Sequence, residues 1–216
     1  DAVGETIMEW TALPNPENPT NIFATNTVMK DFFDYQWTDS QEKILTNHVY
    51  VANPKIAKNQ TLLQDLSGKV IWAAGSKTWY DLAKSGMWVT GCTDGLGFRT
   101  LFELMEQPLI SSHISDVTIL THHTASRKWT ERGFQAIGFY DLLAKNNETI
   151  IDSVKDADFI FWSSFSQFHH YHQYANETVT HACAAGETAE SLLSLGIHPI
   201  IFPTLKAFEL WRSTTQ

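Results

Sequence analysis

Short apolar runs alternate with amphipathic stretches along most of the chain. His48–Ala52, Lys69–Ala74, Val117–Thr121, Ala136–Tyr140, Asp158–Trp162, Val179–Ala185 and His198–Phe202 read as strands. Ser40–Thr46, Lys77–Ser85, Thr100–Met105, Ser126–Arg132, Thr149–Val154 and Glu187–Leu195 read as helices. Helix-length segments between most strands favour crossovers over hairpins, which predicts an α/β fold with parallel sheets. The first forty residues break the pattern. Pro14, Pro16 and Pro19 exclude a helix and predict an extended connector. Ile7–Trp10 and Ile22–Thr25 could each be a strand.

The chain also resembles itself. Ala73-Ala74-Gly75-Ser76-Lys77-Thr78, closed by Gly86, matches Ala184-Ala185-Gly186-Glu187-Thr188, closed by Gly196. The glycines are offset by 111 residues and the threonines by 110. Upstream, His48-Val49-Tyr50-Val51-Ala52-Asn53 matches Asp158-Phe159-Ile160-Phe161-Trp162-Ser163, again offset by 110. Two elements repeated in one order at one spacing predict two similar α/β halves. Glycine permits close backbone approach, and a hydroxyl at a helix start can cap free N–H groups. The same N–H groups can hold an anion. From the residues alone, Gly75/Thr78 and Gly186/Thr188 either make such anion sites or simply turn the chain.

Composition narrows the function classes. The 216 residues are 43% hydrophobic and 18% charged, so a core is expected. A net charge of −9 argues against broad nucleic-acid contact, which needs cations for the phosphates. No apolar window approaches a membrane span, and DAVGETIMEW lacks the features of a signal peptide. Cys92 and Cys183 cannot make a disulfide framework. The expected setting is reduced and cytoplasmic, which leaves the sequons at Asn59, Asn147 and Asn176 without a role.

Little else carries an obvious chemistry. His122-His123 and His169-His170-x-His172 lack the third and fourth convergent ligands of a zinc site and read as surface histidines. Ser163-Ser164 lies outside any Gly-x-Ser-x-Gly elbow and reads as capping or turn hydroxyls. Gly91–Gly97 matches neither phosphate-loop pattern and reads as a flexible loop before a Phe98–Met105 helix. Tyr140, at the end of an apolar run, is either a core tyrosine or a proton donor at a cleft. The eight tryptophans read mostly as packing residues.

Taken in order, these motifs resemble the uroporphyrinogen-III synthase family over about Val49 to Trp211. The family's strand ending in Phe-Thr-Ser-Pro is similar to Val51-Ala52-Asn53-Pro54-Lys55 and to Phe161-Trp162-Ser163-Ser164. Its Gly-x-x-Thr-Ala turn is similar to Gly75–Thr78 and to Gly186-Glu187-Thr188-Ala189. Its intervening strand, helix and Val-Tyr strand end are similar to Thr118–Thr121, Glu131-Arg132-Gly133 and Gly138-Phe139-Tyr140. There are departures. Ala52-Asn53 and Trp162-Ser163 replace Thr-Ser, and no arginine precedes Arg99, whereas the family's first strand ends in Thr-Arg.

The resemblance implies two α/β domains with parallel sheets, joined by a two-stranded linker, with a cleft between them. The split domain would be 1–40 plus 141–216, and the inserted one 41–140. It implies closure of hydroxymethylbilane to uroporphyrinogen III, with ring D inverted and water lost, in tetrapyrrole and haem biosynthesis. No metal or organic cofactor is implied. Tyr140 would assist departure of the hydroxyl. Asn53, Lys55, Gly75, Lys77, Thr78, Ser163, Ser164, Gly186 and Thr188 would bind the substrate. The expectation is a cytoplasmic monomer with no nucleic-acid or membrane partner, and with hydroxymethylbilane synthase as a candidate contact. The alternative is a diverged, non-catalytic two-lobed ligand binder on the same scaffold. The charge of −9 opposes an eightfold carboxylate substrate, so attraction would have to be local, from Lys55, Lys77 and helix N-termini.

Overall fold

A computed structural model describes residues 21–38, 42–94, 97–105, 107, 110 and 113–214. The expected Ile7–Trp10 strand and the 13–19 connector lie outside these residues. The expected strand near Ile22 is β1 (Ile22–Ala24), followed by a 3-10 segment over Thr25–Asp31. The chain then passes through β2 (Phe33–Trp37) into β3 (His48–Val51), a 3-10 turn at Pro54–Lys58, α1 (Gln60–Asp65), β4 (Val70–Ala73) and α2 (Ser76–Lys84). It continues with β5 (Val89–Cys92), α3 (Thr100–Met105), β6 (Val117–Thr121), α4 (His123–Glu131), β7 (Gln135–Gly138) and β8 (Tyr140–Ala144). The last run is α5 (Glu148–Asp156), β9 (Phe159–Trp162), α6 (Phe165–Tyr171), β10 (Thr180–Ala184), α7 (Glu187–Ser194), β11 (Ile200–Phe202) and α8 (Leu205–Ser213).

The fold is mixed α/β with parallel sheets. Two compact units result: the described residues 21–32 and 144–214 form one, and Phe33–Leu143 the other. The sequence placed the divisions near 40/41 and 140/141. They fall at 32/33 and 143/144, because β2 and β8 pair with each other as a separate ribbon. Phe32 O accepts both Lys145 N (3.0 Å) and the Tyr171 hydroxyl (2.8 Å), which holds the two chain passages side by side.

The Phe33–Leu143 unit holds a parallel sheet in the order β5-β4-β3-β6-β7. Alternation sends Val49 and Val51 to one apolar layer and Tyr50 to the other, so both faces of the sheet are covered. The other unit has the order β1-β9-β10-β11, also parallel. Phe159 and Phe161 there pack on Phe202, Phe208 and Trp211, with Phe161 and Phe208 stacked at 4.0 Å. Strand by strand, β3-β4-β5 repeats as β9-β10-β11, and β6 occupies the place of β1.

Several expected elements differ in the structure. Ala136–Tyr140 is two strands: Phe139 N makes a last bond to Thr121 O, and the chain then turns to pair with β2. Residues 42–46 are not helical; Lys69 Nζ donates to the carbonyls of Ile44 and Thr46, which ties this irregular segment down. The Gly91–Gly97 stretch begins inside β5, where a Cβ on Gly91 would meet the Trp72 ring at 3.1 Å. Asn59 and Asn147, two of the sequon asparagines, cap helices: their Oδ1 atoms accept from Leu62 N and from Thr149 N and Ile150 N.

Candidate functional site

Parallel α/β sheets bind ligands beyond the carboxyl ends of their strands, where the strand order reverses. The β5-β4-β3-β6-β7 sheet has one such reversal, whereas β1-β9-β10-β11 runs in one sense. In the Phe33–Leu143 unit the reversal lies between β3 and β6, so Asn53 and His122 flank it. In the other unit the corresponding junction, with β9 for β3 and β1 for β6, is flanked by Thr25 and Ser163.

The β3–β6 reversal gathers an aromatic and polar group. Tyr140 is buried, 1% exposed, with Tyr35 and Trp37 at 5.4 Å and His122 at 6.0 Å between ring centres. Burial, and then the neighbouring Tyr35, push its phenol well above the usual tyrosine range. Burial also raises Tyr35, while a side-chain hydrogen bond with Asn53 partly offsets this. Asn53 Oδ1 accepts Lys55 N at 2.9 Å, and Lys55 Nζ sits 2.9 Å from the centre of the Tyr35 ring. Of the expected site residues, Tyr140, Asn53 and Lys55 are therefore linked through Tyr35.

The two histidines ending β6 are half-buried and well engaged, against the surface reading. His122 caps α4, its Nδ1 accepting Ala125 N at 3.4 Å. Burial first, and then Lys128, lower its imidazole to about 4. His123 Nε2 is hydrogen-bonded to Thr38 Oγ1 at 2.6 Å. Its backbone lies against Gly138, where an added Cβ would come within 2.7 Å of His123 Cα. A signal for both is present in the sequence: a polar pair at the carboxyl end of an apolar strand.

The repeated glycine turns are less alike than their sequences. Gly75 is extended (φ −168°), a conformation open to any residue, whereas Gly186 has φ +118° and favours glycine. Neither α2 nor α7 has a side-chain cap, so Thr78 and Thr188 do not cap as the sequence suggested. Thr78 is buried and Thr188 half-buried. Lys77 is exposed and paired with Asp81 at 3.1 Å, one turn on. The α2 helix is tied to the Pro54–Lys58 turn, with Ser85 Oγ donating to Ala57 O at 3.2 Å.

The β1–β9 junction is closed. Ser163 N donates to Thr25 Oγ1 (2.8 Å), and Gln167 Oε1 accepts from Thr25 Oγ1 (2.8 Å), Ser163 Oγ (2.7 Å) and Ser164 N (3.1 Å). Ser164 and Gln167 form a capping box on α6. Thr25 and Gln167 are buried, so these hydroxyls are engaged with one another. Beside them stands Asn26; its Nδ2 donates to Glu209 at 3.2 Å, and its buried Oδ1 has no partner among the described residues. Trp162 is fully buried and donates to His181 Nδ1 at 3.1 Å.

Other features are inert or lie elsewhere. Burial pushes the Cys183 thiol up to about 12, which removes its nucleophilicity at neutral pH. Among the described residues, no three His, Cys, Asp or Glu side chains are grouped to hold a metal ion. None of the helices among them is long and apolar enough to cross a membrane. A depression of about 380 Å³ near Ile22, Asp152 and Asp156 lies at the amino end of β1, away from the strand ends, and its acidic lining suits no anion.

No protein-family model matches the chain, and no curated protein sequence does. Solved structures do share its fold. The uroporphyrinogen-III synthetase of Helicobacter pylori 26695 superposes with a TM-score of 0.53 at 16% identity, covering 90% of this chain and 99% of that one. A triple mutant of the uroporphyrinogen-III synthase of Thermus thermophilus superposes with a TM-score of 0.52 at 11% identity, covering 90% and 96%.

Proposed function

We propose that this chain is a uroporphyrinogen-III synthase that closes hydroxymethylbilane with loss of water and inversion of ring D. The observation carrying this reading is the shared fold over nine-tenths of the chain with two such enzymes. In the reaction the hydroxymethyl C–O bond breaks, a proton joins the departing hydroxyl, and water leaves. The resulting azafulvene-type cation reacts within the same chain of rings. The protein has only to assist departure and hold the curled chain, so positioning carries much of the rate.

Within this reading Tyr140 supplies the hydrogen bond to the departing hydroxyl, and burial keeps its phenol protonated. Tyr35, Trp37 and His122 enclose its ring, so substrate reaches it only when those rings move. Asn53, Lys55, Lys77, Thr78 and the uncapped α2 N–H groups after Gly75 serve carboxylates in one unit. Thr188 and the uncapped α7 start after Gly186 serve them in the other, whereas Ser163 and Ser164, expected to join them, are engaged with Gln167. The setting proposed is a cytoplasmic monomer that needs no cofactor.

The test supplies fresh hydroxymethylbilane and separates the oxidised porphyrin isomers. Isomer III above the spontaneous isomer I background supports the synthase; isomer I alone from folded protein refutes it. Tyr140→Phe should slow turnover and leave the fold intact, and an unchanged rate removes Tyr140 from the reaction. The closed Thr25–Ser163–Gln167 network favours the second reading, a ligand binder without turnover.

A further inference from the structure

His122 sits at the reversal between β3 and β6 with one ring nitrogen already spoken for. Its Nδ1 accepts the Ala125 N–H, so the ring proton must reside on Nε2. Among the described residues, Nε2–H makes no hydrogen bond. The Ala125 N–H is consumed by this cap and is not offered to an anion at the start of α4. What the strand end presents in its place is a neutral N–H donor within an aromatic group, 6.0 Å from Tyr140. Tyr35 and Trp37 add flat apolar surface, and the Lys55 ammonium over Tyr35 adds a positive charge. A flat ring bearing carboxylates matches each component: ring on ring, carboxylate to cation, carboxylate oxygen to N–H.

We propose that His122 is a ligand-binding residue of the Phe33–Leu143 unit, its neutral imidazole donating Nε2–H to a carboxylate of an aromatic-ring substrate. The assignment rests on the synthase reading for the identity of that substrate, whose pyrrole rings carry carboxylates. The site itself is argued only from the side chains at the strand ends. His122 stays neutral through the physiological range, so the donor is present without any protonation event.

The discriminating variant is His122→Asn. Asparagine is among the best helix caps and replaces the Nδ1 acceptor, but its short amide cannot reach the place of Nε2. A purely structural role predicts a variant as stable as the parent and equal in binding. The donor role predicts equal stability with binding weakened roughly tenfold or more. The probe is 1,2,4,5-benzenetetracarboxylate, followed by calorimetry and by nitrogen-15 spectra of labelled histidine. The expected spectrum shows the Nε2–H tautomer at pH 7, with that proton moving downfield as probe is added. Three results overturn the assignment: wild-type protein that does not bind the probe, His122→Asn that binds it normally, or an Nδ1–H ring. If isomer III forms and His122→Asn binds normally, the synthase reading stands and this assignment falls. If no isomer III forms and His122→Asn loses the probe, the binding residue stands and the synthase reading falls.

Discussion

The β3–β6 reversal and the corresponding β1–β9 junction share a skeleton and use it in opposite ways. Where β9 meets β1, the half-buried Ser163 and the buried Thr25 and Gln167 bond one another. Where β3 meets β6, the matching places hold Asn53 and His122, and His122 keeps a donor in reserve. A hydroxyl whose bonds are all internal contributes to the fold, whereas a half-engaged side chain can serve a ligand. The units also share a Trp–His pair with its strands exchanged. Trp72 on β4 donates to His48 on β3 at 3.2 Å, while Trp162 on β9 donates to His181 on β10 at 3.1 Å. In both, tryptophan lies two residues beyond the register partner of histidine. Equivalent geometry at inequivalent positions means that the repeat preserves packing solutions as well as residues.

Substitutions can break either side of this contrast. The largest effect is expected at Gly138, whose absent Cβ makes room for His123. The obstacle to Gly138→Ala includes backbone, so α4 must shift, at a cost of about 3 kcal/mol. Hydrogen exchange should rise in β6, β7 and α4 and stay unchanged in β9 and β10. Gln167→Ala attacks the other side. It strips partners from Thr25, Ser163 and the Ser164 N–H, costing roughly 2–3 kcal/mol. Here exchange should rise in β1, β9 and α6 alone. If either variant loosened both units equally, the units would not be independent in stability.

Acid should act on both units through histidines held neutral. His48 and His181 are lowered chiefly by burial, and each accepts a Trp N–H on Nδ1, which an imidazolium cannot do. His122 lies lowest, at about 4. Because the folded-state values lie below the unfolded one near 6.5, the unfolded chain binds more protons as pH falls. Stability is therefore full above about pH 6.5 and declines towards pH 4. Discounted for partial exposure, His122 contributes about 2 kcal/mol of that loss. Urea midpoints at pH 7.5 and pH 4.5 measure it. His122→Asn should be less acid-sensitive than the parent, and an identical pH dependence would remove His122 from the account.

Much of this is visible in the residues. The parallel α/β class follows from apolar runs separated by helix-length stretches, and β6 and α3 carry the expected bounds. The repeated strand–turn–helix leads to the two equivalent strand orders. Contacts distant in sequence are hidden. Gln167 meets Thr25 across 142 positions, and nothing near Ser163 shows that its hydroxyl is already bonded. The β2–β8 ribbon is legible in part: Phe33-Asp34-Tyr35-Gln36-Trp37 alternates aromatic and polar residues with the period of a strand, but its pairing with β8 lies more than 100 positions away. His122 and His123 read as surface residues because their spacing fits no zinc site. Their place at a strand's carboxyl end is the better guide.

The smallest effect tests how far the β3–β6 reversal is open. Thr38 Oγ1, just past β2, and His123 Nε2, at the start of α4, lie 2.6 Å apart and are partly exposed. Thr38→Val keeps the shape and removes the bond. Because water can replace the lost partner, the expected cost is about 1 kcal/mol, and Thr38→Ser should restore it. At the closed β1–β9 junction the acceptor Gln167 Oε1 serves three donors with little access to water, so its loss is felt more. The ratio of the two costs in urea unfolding thus reports the difference in solvent access directly. Should Thr38→Val cost as much as Gln167→Ala, the reversal and the β1–β9 junction are equally closed, and a ligand would have no more reason to choose one than the other.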